Sequence, residues 1–172
     1  MVAKITTGKD IYGALAYNQQ KVDRGGGAVL RTSGLLEPAD GIFSVAQMAA
    51  DILAWMPPHI RTEKPIIHIS LNPDPEDMLA DDELTDIADE YMEGMGWGAQ
   101  PYIVYKHTDI DRTHIHIVSV QVDSTGRKIN DSRRNERSVA LTERIERKYC
   151  LCPAKGRKNA ELWQLEPVDY EK

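Results

Sequence analysis

The sequence predicts an α+β fold, a central antiparallel sheet with helices packed on one face, and three observations lead there. Segments with helical apolar spacing alternate with short β-branched runs. Two of those runs, Tyr102–His107 and His114–Val122, sit close enough to form a hairpin. The strand phases also agree: Ile67, Ile69, Leu71, Ile115 and Ile117 fall on one face, while His68, Ser70, Tyr105, His107, His114 and His116 fall on the other. One packed face and one chemical face follow, although Val118, Val120 and Val122 share the histidine phase.

In chain order, Val2 to Ile5 reads as a short strand. Asp10 to Gln20 carries Ile11, Tyr12 and Leu15 at helical spacing, and Asp23-Arg24-Gly25-Gly26-Gly27 ends that helix. Ala28 to Arg31 suggests another strand. Ser44 caps an amphipathic helix with Val45, Met48, Ala49, Ile52, Leu53 and Met56 on its stripe, closed by Pro57-Pro58. His59, in that turn, reads as a surface residue. Pro65 to Asn72 is a strand stopped by Pro73 and Pro75. Asp81 or Asp82 caps a third helix running to about Met95, whose acidic start suits the helix dipole. Arg137 to Tyr149 is the fourth helix.

A chain of 172 residues makes one compact domain, or one domain with a tail. No apolar stretch approaches the length that spans a bilayer, and no signal-peptide core is visible at the start, so no membrane partner is expected. Cys150 and Cys152, the two cysteines, are one residue apart, a spacing that suits neither a disulfide nor a zinc knuckle. A reducing, cytoplasmic location is the expectation.

The net charge of −6 conceals an asymmetry. Pro65 to Tyr105 contains ten acidic residues and no Lys or Arg, whereas Ser124 to Ala160 sets eleven basic residues against four acidic ones. Arg144, Arg147 and Lys148 interleave with Glu143 and Glu146 and read as a solvated helix face. Arg127, Lys128, Arg133 and Arg134 lie in a Gly/Ser/Asn-rich loop without compensating acids and are the candidate contacts to a polyanion.

Chemistry concentrates in Lys106 to Val118, where three of the five histidines fall within ten residues. His114 and His116 alternate on one strand and share a face, and a hairpin returns His107 to meet them. Three neutral imidazoles on one sheet face hold a divalent metal with coordination positions left open. A lone His-x-His is more often structural; the third histidine across a turn makes the metal site the better reading. Asp109 and Asp111 suit a turn, and can also accept hydrogen bonds that orient a ligating imidazole. His68 is either an outer member of the site or a structural strand histidine. No His-Glu-x-x-His helix is present, which disfavours a zinc hydrolase of that type.

His114-Ile115-His116, with His107-x-Asp109 upstream, resembles the third motif of mobilisation-type conjugative relaxases, members of the HUH endonucleases. The Tyr12-Gly13-Ala14-Leu15-Ala16-Tyr17-Asn18 helix resembles the family's first motif, and Ile66 to Asn72 its second. Gln121 stands where the family often has Asn. The similarity covers most of the first 150 residues, so 1–150 is expected to be the nickase domain and 151–172 a tail or the start of a further segment.

The resemblance implies a metal-dependent, site- and strand-specific DNA nickase. Its tyrosine attacks a phosphodiester, leaving a free 3′-hydroxyl and a 5′-phosphotyrosine. It implies Mn²⁺, Mg²⁺ or Zn²⁺ on His107, His114 and His116, and single-stranded DNA with a hairpin at an origin of transfer as substrate. Accessory mobilisation proteins are further implied partners, and Arg127, Lys128, Arg133 and Arg134 would touch backbone phosphates. Five residues separate Tyr12 from Tyr17, so they diverge by about 140° on a helix and only one can face the metal. The sequence context of Tyr17 resembles the nucleophile; Tyr12 is the alternative, and core packing is the bland role for either. Rival readings are a replication initiator or transposase with the same chemistry, or a nucleic-acid binder holding a structural zinc.

Overall fold

The computed structural model describes residues 1–154, and the expected segment 151–172 lies outside the described residues from 155 onward. Five strands and four helices follow in the order β1 (Val2–Gly8), α1 (Ile11–Asp23), β2 (Gly27–Ser33), α2 (Val45–Trp55), β3 (Ile66–Asn72), α3 (Asp81–Met95), β4 (Tyr102–His107), β5 (His114–Val120) and α4 (Arg134–Lys148). The strands form one sheet in the order β1-β3-β5-β4-β2, every pair antiparallel. This is the α+β class with the antiparallel sheet that the sequence predicts.

β3 and β5 are buried along their whole length, which is why they read as nearly continuous β-branched runs. On one face Ile67, Ile69, Leu71, Val104, Ile115 and Ile117 pack under Leu84, Ile87, Tyr91 and Met92 of α3 and under Leu141 and Ile145 of α4. Tyr91 and Ser138 join their hydroxyls at 2.6 Å between those two helices.

The helices are not confined to that face. Ile11, Ala14 and Leu15 of α1 and Met48, Ala49 and Ile52 of α2 pack on Ile66, Ile103, Tyr105, Val118, Val120 and Val122. This is the histidine face, and its valine end is the part that had no chemical explanation in the sequence. An apolar half-face needs a cover. α1 and α2 supply it, and α1 continues over the histidine half.

Element ends shift for local reasons. α4 starts at Arg134, three residues before the expected Arg137, because its first turn is polar and carries no apolar period. β5 ends at Val120, and Val122 makes only an isolated bridge to Lys128. The α3 cap is Ala80, not Asp81 or Asp82: the Glu83 carboxylate accepts the Ala80 N–H at 2.9 Å. α3 closes on Gly96 at φ +87°, a left-handed conformation that glycine adopts without a Cβ clash. Leu53, placed on the α2 stripe by periodicity, is half exposed.

The acidic run on α3 is absorbed by its neighbours. Asp81 pairs with Lys106 at 2.5 Å, Asp89 with Arg31 at 2.9 Å, and Glu90 with Lys148 at 2.6 Å. Cys150 and Cys152 are both free thiols. Among the described residues no helix is long and apolar enough to cross a membrane.

The two-faced core makes a paired prediction. Ile117→Ala, in the fully buried layer under α3 and α4, should cost about 2–5 kcal/mol in urea unfolding. Leu53→Ala, on the outer side of α2, should cost less than about 1 kcal/mol. Equal losses would mean that α2 buries a different face.

Candidate metal centre and nucleophile

Strand register builds the site. His107 faces His114 across β4 and β5, and His116 faces both Tyr105 of β4 and Ser70 of β3. Cross-strand partners share a face, so the ring centroid of His107 lies 5.3 Å from that of His114 and 4.3 Å from that of His116. One ligand nitrogen from each of the three lies within 4.8 Å of the others. All three side chains are buried.

Their nitrogens fit a metal. Both nitrogens of His107 and Nε2 of His116 are buried without a hydrogen-bond partner, a costly arrangement that a cation on the lone-pair nitrogen of each ring would relieve. Nδ1 of His116 lies 2.9 Å from Nε2 of His68, and Nδ1 of His114 lies 3.4 Å from the Arg112 carbonyl oxygen. A proton on each Nδ1 makes both contacts hydrogen bonds and leaves each Nε2 lone pair for a cation. An all-imidazole set suits Mn²⁺ or Zn²⁺ better than Mg²⁺, which prefers oxygen.

Burial keeps these rings neutral. It is the main force that depresses His68 to about 4 and His107 to about 3, helped for His107 by the neighbouring His114. Burial likewise lowers His114, and it pushes His116 well below its usual value with help from His68. Neutral imidazole is the form that ligates.

α1 brings the tyrosine. Asp10 caps the helix by accepting from the Gly13 N–H at 2.9 Å. Tyr17 then lies over the cluster, its ring centroid 6.3 Å from that of His68 and 6.5 Å from that of His107. Tyr12 is 56% exposed, on the far side of the helix as the 140° separation requires. Buried Asn18 donates to the Ala14 carbonyl at 2.8 Å and has Nδ2 3.4 Å from His68 Nε2, so α1 meets the outer histidine directly.

The turn after α1 is pressed against the β4 end that carries His107. The Thr108 N–H donates to the Gly26 carbonyl at 2.9 Å. A Cβ on Gly27 would lie 2.5 Å from the Lys106 carbonyl oxygen and 3.3 Å from His107 Cδ2. Glycine is needed here for that close approach.

Other residues singled out in the sequence fall as follows. Asp109 accepts from the Lys21 ammonium at 2.7 Å, and Asp111 is exposed in the β4–β5 loop. The groups that contact the His116 and His114 rings at Nδ1 are instead His68 and the Arg112 carbonyl. Buried Gln121 donates its side-chain N–H to the Lys64 carbonyl and serves packing. Lys128 and Arg133 do have acidic neighbours, Asp131 at 2.5 Å and Glu136 at 3.6 Å.

Arg127, Lys128 and Arg134 line a cavity of about 920 Å³ together with Arg61, Lys64 and exposed His59. It opens near Gln121, five residues along the chain from His116, roughly 16 Å at strand rise. Arg133 stands outside that lining, its side chain 77% exposed. Lys21 was missed in the sequence, although its i+4 spacing from Tyr17 placed both on one helix face.

A family model described as "Relaxase: MobA/VirD2-like, nuclease domain" matches residues 17–151. No curated protein matches the sequence.

The depressed histidines set a pH dependence. The unfolded chain takes up protons near pH 6.5, while folded His68 and His107 refuse them until about 4 and about 3. Protons therefore favour the unfolded state in that window, and stability falls as pH falls through 6.5. With chelator present, urea unfolding at pH 5 should show a loss on the order of 2 kcal/mol for each of these two rings relative to pH 7.5. An unchanged midpoint would mean that the cluster is hydrated and titrates normally.

Proposed function

The chain belongs to the MobA/VirD2-like relaxase nuclease family, and from that premise we propose that it is a metal-dependent, site- and strand-specific DNA nickase. It forms a 5′-phosphotyrosine on Tyr17 at an origin of transfer and so starts mobilisation of a plasmid or other mobile element in the cytoplasm. The observation that carries this reading is the convergence of His107, His114 and His116 beneath the Tyr17 ring, with unpartnered buried nitrogens on His107 and His116.

A divalent cation held by those three imidazoles would polarise the scissile phosphate and offset charge developing on its oxygens. The protein supplies the rest. α1 aims the tyrosine from above while the sheet presents the ligands from below, so nucleophile and phosphate meet at the contact between the two elements. His68 holds the His116 ring in one orientation through the 2.9 Å contact. Tyr17 forms an O–P bond as the bond to the 3′ oxygen breaks, and one phosphodiester becomes another. The link therefore stays reversible, which suits rejoining after transfer.

The basic cavity beside Gln121 supports contact with the DNA backbone away from the reacting phosphate. Arg127 and Arg134 are the arginines of the predicted set that line it. Lys128, also in the lining, is partly neutralised by Asp131, and exposed Arg133 lies next to Glu136. A single-stranded segment at the histidines and a hairpin arm in this cavity fit the proposed substrate.

Supercoiled plasmids bearing candidate transfer origins, with Mn²⁺ or Mg²⁺ and then with EDTA, test the reaction. Wild-type protein should give a metal-dependent nick and a nucleotide adduct on Tyr17 by mass spectrometry. Tyr17→Phe should lose both while still binding origin DNA, and Tyr12→Phe should keep both. An adduct on Tyr12 would overturn the choice of nucleophile. Retained nicking in both variants would overturn the tyrosine mechanism.

For the cavity, replacing Arg127 and Arg134 together by Ala should weaken DNA binding and reduce the salt slope of log K by up to about 2. An unchanged slope in fluorescence anisotropy would remove the cavity from the DNA path.

A further inference from the structure

Lys21 stands where the tyrosine, the histidine-bearing loop and solvent meet. Its ammonium lies 5.0 Å from the centroid of the Tyr17 ring, one helical turn away, and donates to Asp109 Oδ2 at 2.7 Å. Asp109 follows His107 by two residues in the β4–β5 loop, so the ion pair ties the nucleophile's helix to the segment that carries the ligands. The site is tight around it. The Gly26 N–H donates to the Lys21 carbonyl at 2.9 Å, and a Cβ on Gly26 would approach Asp109 Cβ to 3.1 Å.

Burial works against the charge on Lys21, yet the Asp109 hydrogen bond and the nearby Tyr17 side chain outweigh it and hold the ammonium above its usual value. The side chain is a quarter exposed and its partner is 30% exposed. Pairs of that kind add little to folding. Stability therefore does not explain why a cation is kept against the tyrosine.

We propose that Lys21 is a catalytic residue of this site, an ammonium clamped by Asp109 that stabilises charge on the Tyr17 oxygen as it attacks the phosphodiester. The inference rests on the nickase reading and on Tyr17 as nucleophile. As the O–P bond forms, the tyrosine proton passes to water, which reaches the half-buried side chain. The 3′ oxygen leaves with its electron pair and takes a proton from water. The ammonium stays protonated throughout, held at the β4–β5 loop by Asp109. In the reverse step it stabilises the departing tyrosine oxygen in the same way.

Lys21→Met and Lys21→Arg test this in single-turnover cleavage of an origin oligonucleotide, with its affinity measured separately by anisotropy. Lys21→Met should slow cleavage roughly 30- to 100-fold with affinity within about threefold of wild type, and Lys21→Arg should recover most of the rate. Asp109→Asn should slow cleavage less and add nothing in the Lys21→Met background. A Lys21→Met rate equal to wild type would overturn the proposal. So would a fall in affinity as large as the fall in rate, which would make Lys21 a DNA contact only.

A second readout needs no cleavage. With tyrosine labelled at Cζ, the Tyr17 NMR signal, assigned by Tyr17→Phe, should move in Lys21→Met while those of Tyr91, Tyr102 and Tyr105 stay fixed. An unmoved signal would also overturn the proposal. Failure of wild-type protein to nick, with the NMR contact intact, would instead count against the nickase reading.

Discussion

The cross-strand pairing of His107 with His114 is the constraint on which the rest depends. It fixes the β4–β5 hairpin register, and the two-residue period of β5 then carries His116 to the same face. A slip of one residue would send these side chains into the core beneath α3 and α4, where Ile115 and Ile117 now sit. The apolar face therefore enforces the chemical one. Placing three imidazoles together costs desolvation, and the fully buried β-branched residues on the opposite face of the same strands supply the hydrophobic energy that offsets it.

A second consequence is the division of the histidine face. Its valine half needs an apolar cover, and α1 crosses from that half to the imidazole half. Ile11, Ala14 and Leu15 anchor the helix in the core, and Asn18 and Tyr17 emerge one turn later over His68 and His107. The position of Tyr17 is thus set by packing elsewhere on the same helix. The Gly26-Gly27 turn then returns the chain close enough to touch the strand end that bears His107.

Much of this was legible in the sequence because it rests on periodicity. The phase of Ile67, Ile69 and Leu71 against His68 and Ser70 predicted the two faces, and His-x-His with an upstream His predicted the cluster. Less legible were features that depend on which element comes to lie opposite. Val118, Val120 and Val122 in the histidine phase showed only that this face is not wholly polar, and one strand pattern cannot say that α1 and α2 cover it. Leu53 fits the α2 stripe by spacing and is nevertheless half exposed, because the helix is only partly buried. The contact of His68 with His116 and that of Lys21 with Asp109 bridge residues far apart in the chain, and no local pattern encodes them. Arg133 and Lys128 looked uncompensated in sequence, yet Glu136 and Asp131 at i+3 reach back to them.

The proposed chemistry requires three imidazoles to form one cation site beneath Tyr17. Anomalous diffraction from crystals grown with Mn²⁺ tests it most directly. One dominant peak is expected, bonded to His107, His114 and His116 on the side facing the tyrosine. The cation site would be contradicted by no peak there, above all if Mn²⁺ bound instead at the surface group of Asp74, Glu76 and Cys152, whose ligand atoms also lie within 4.8 Å of one another.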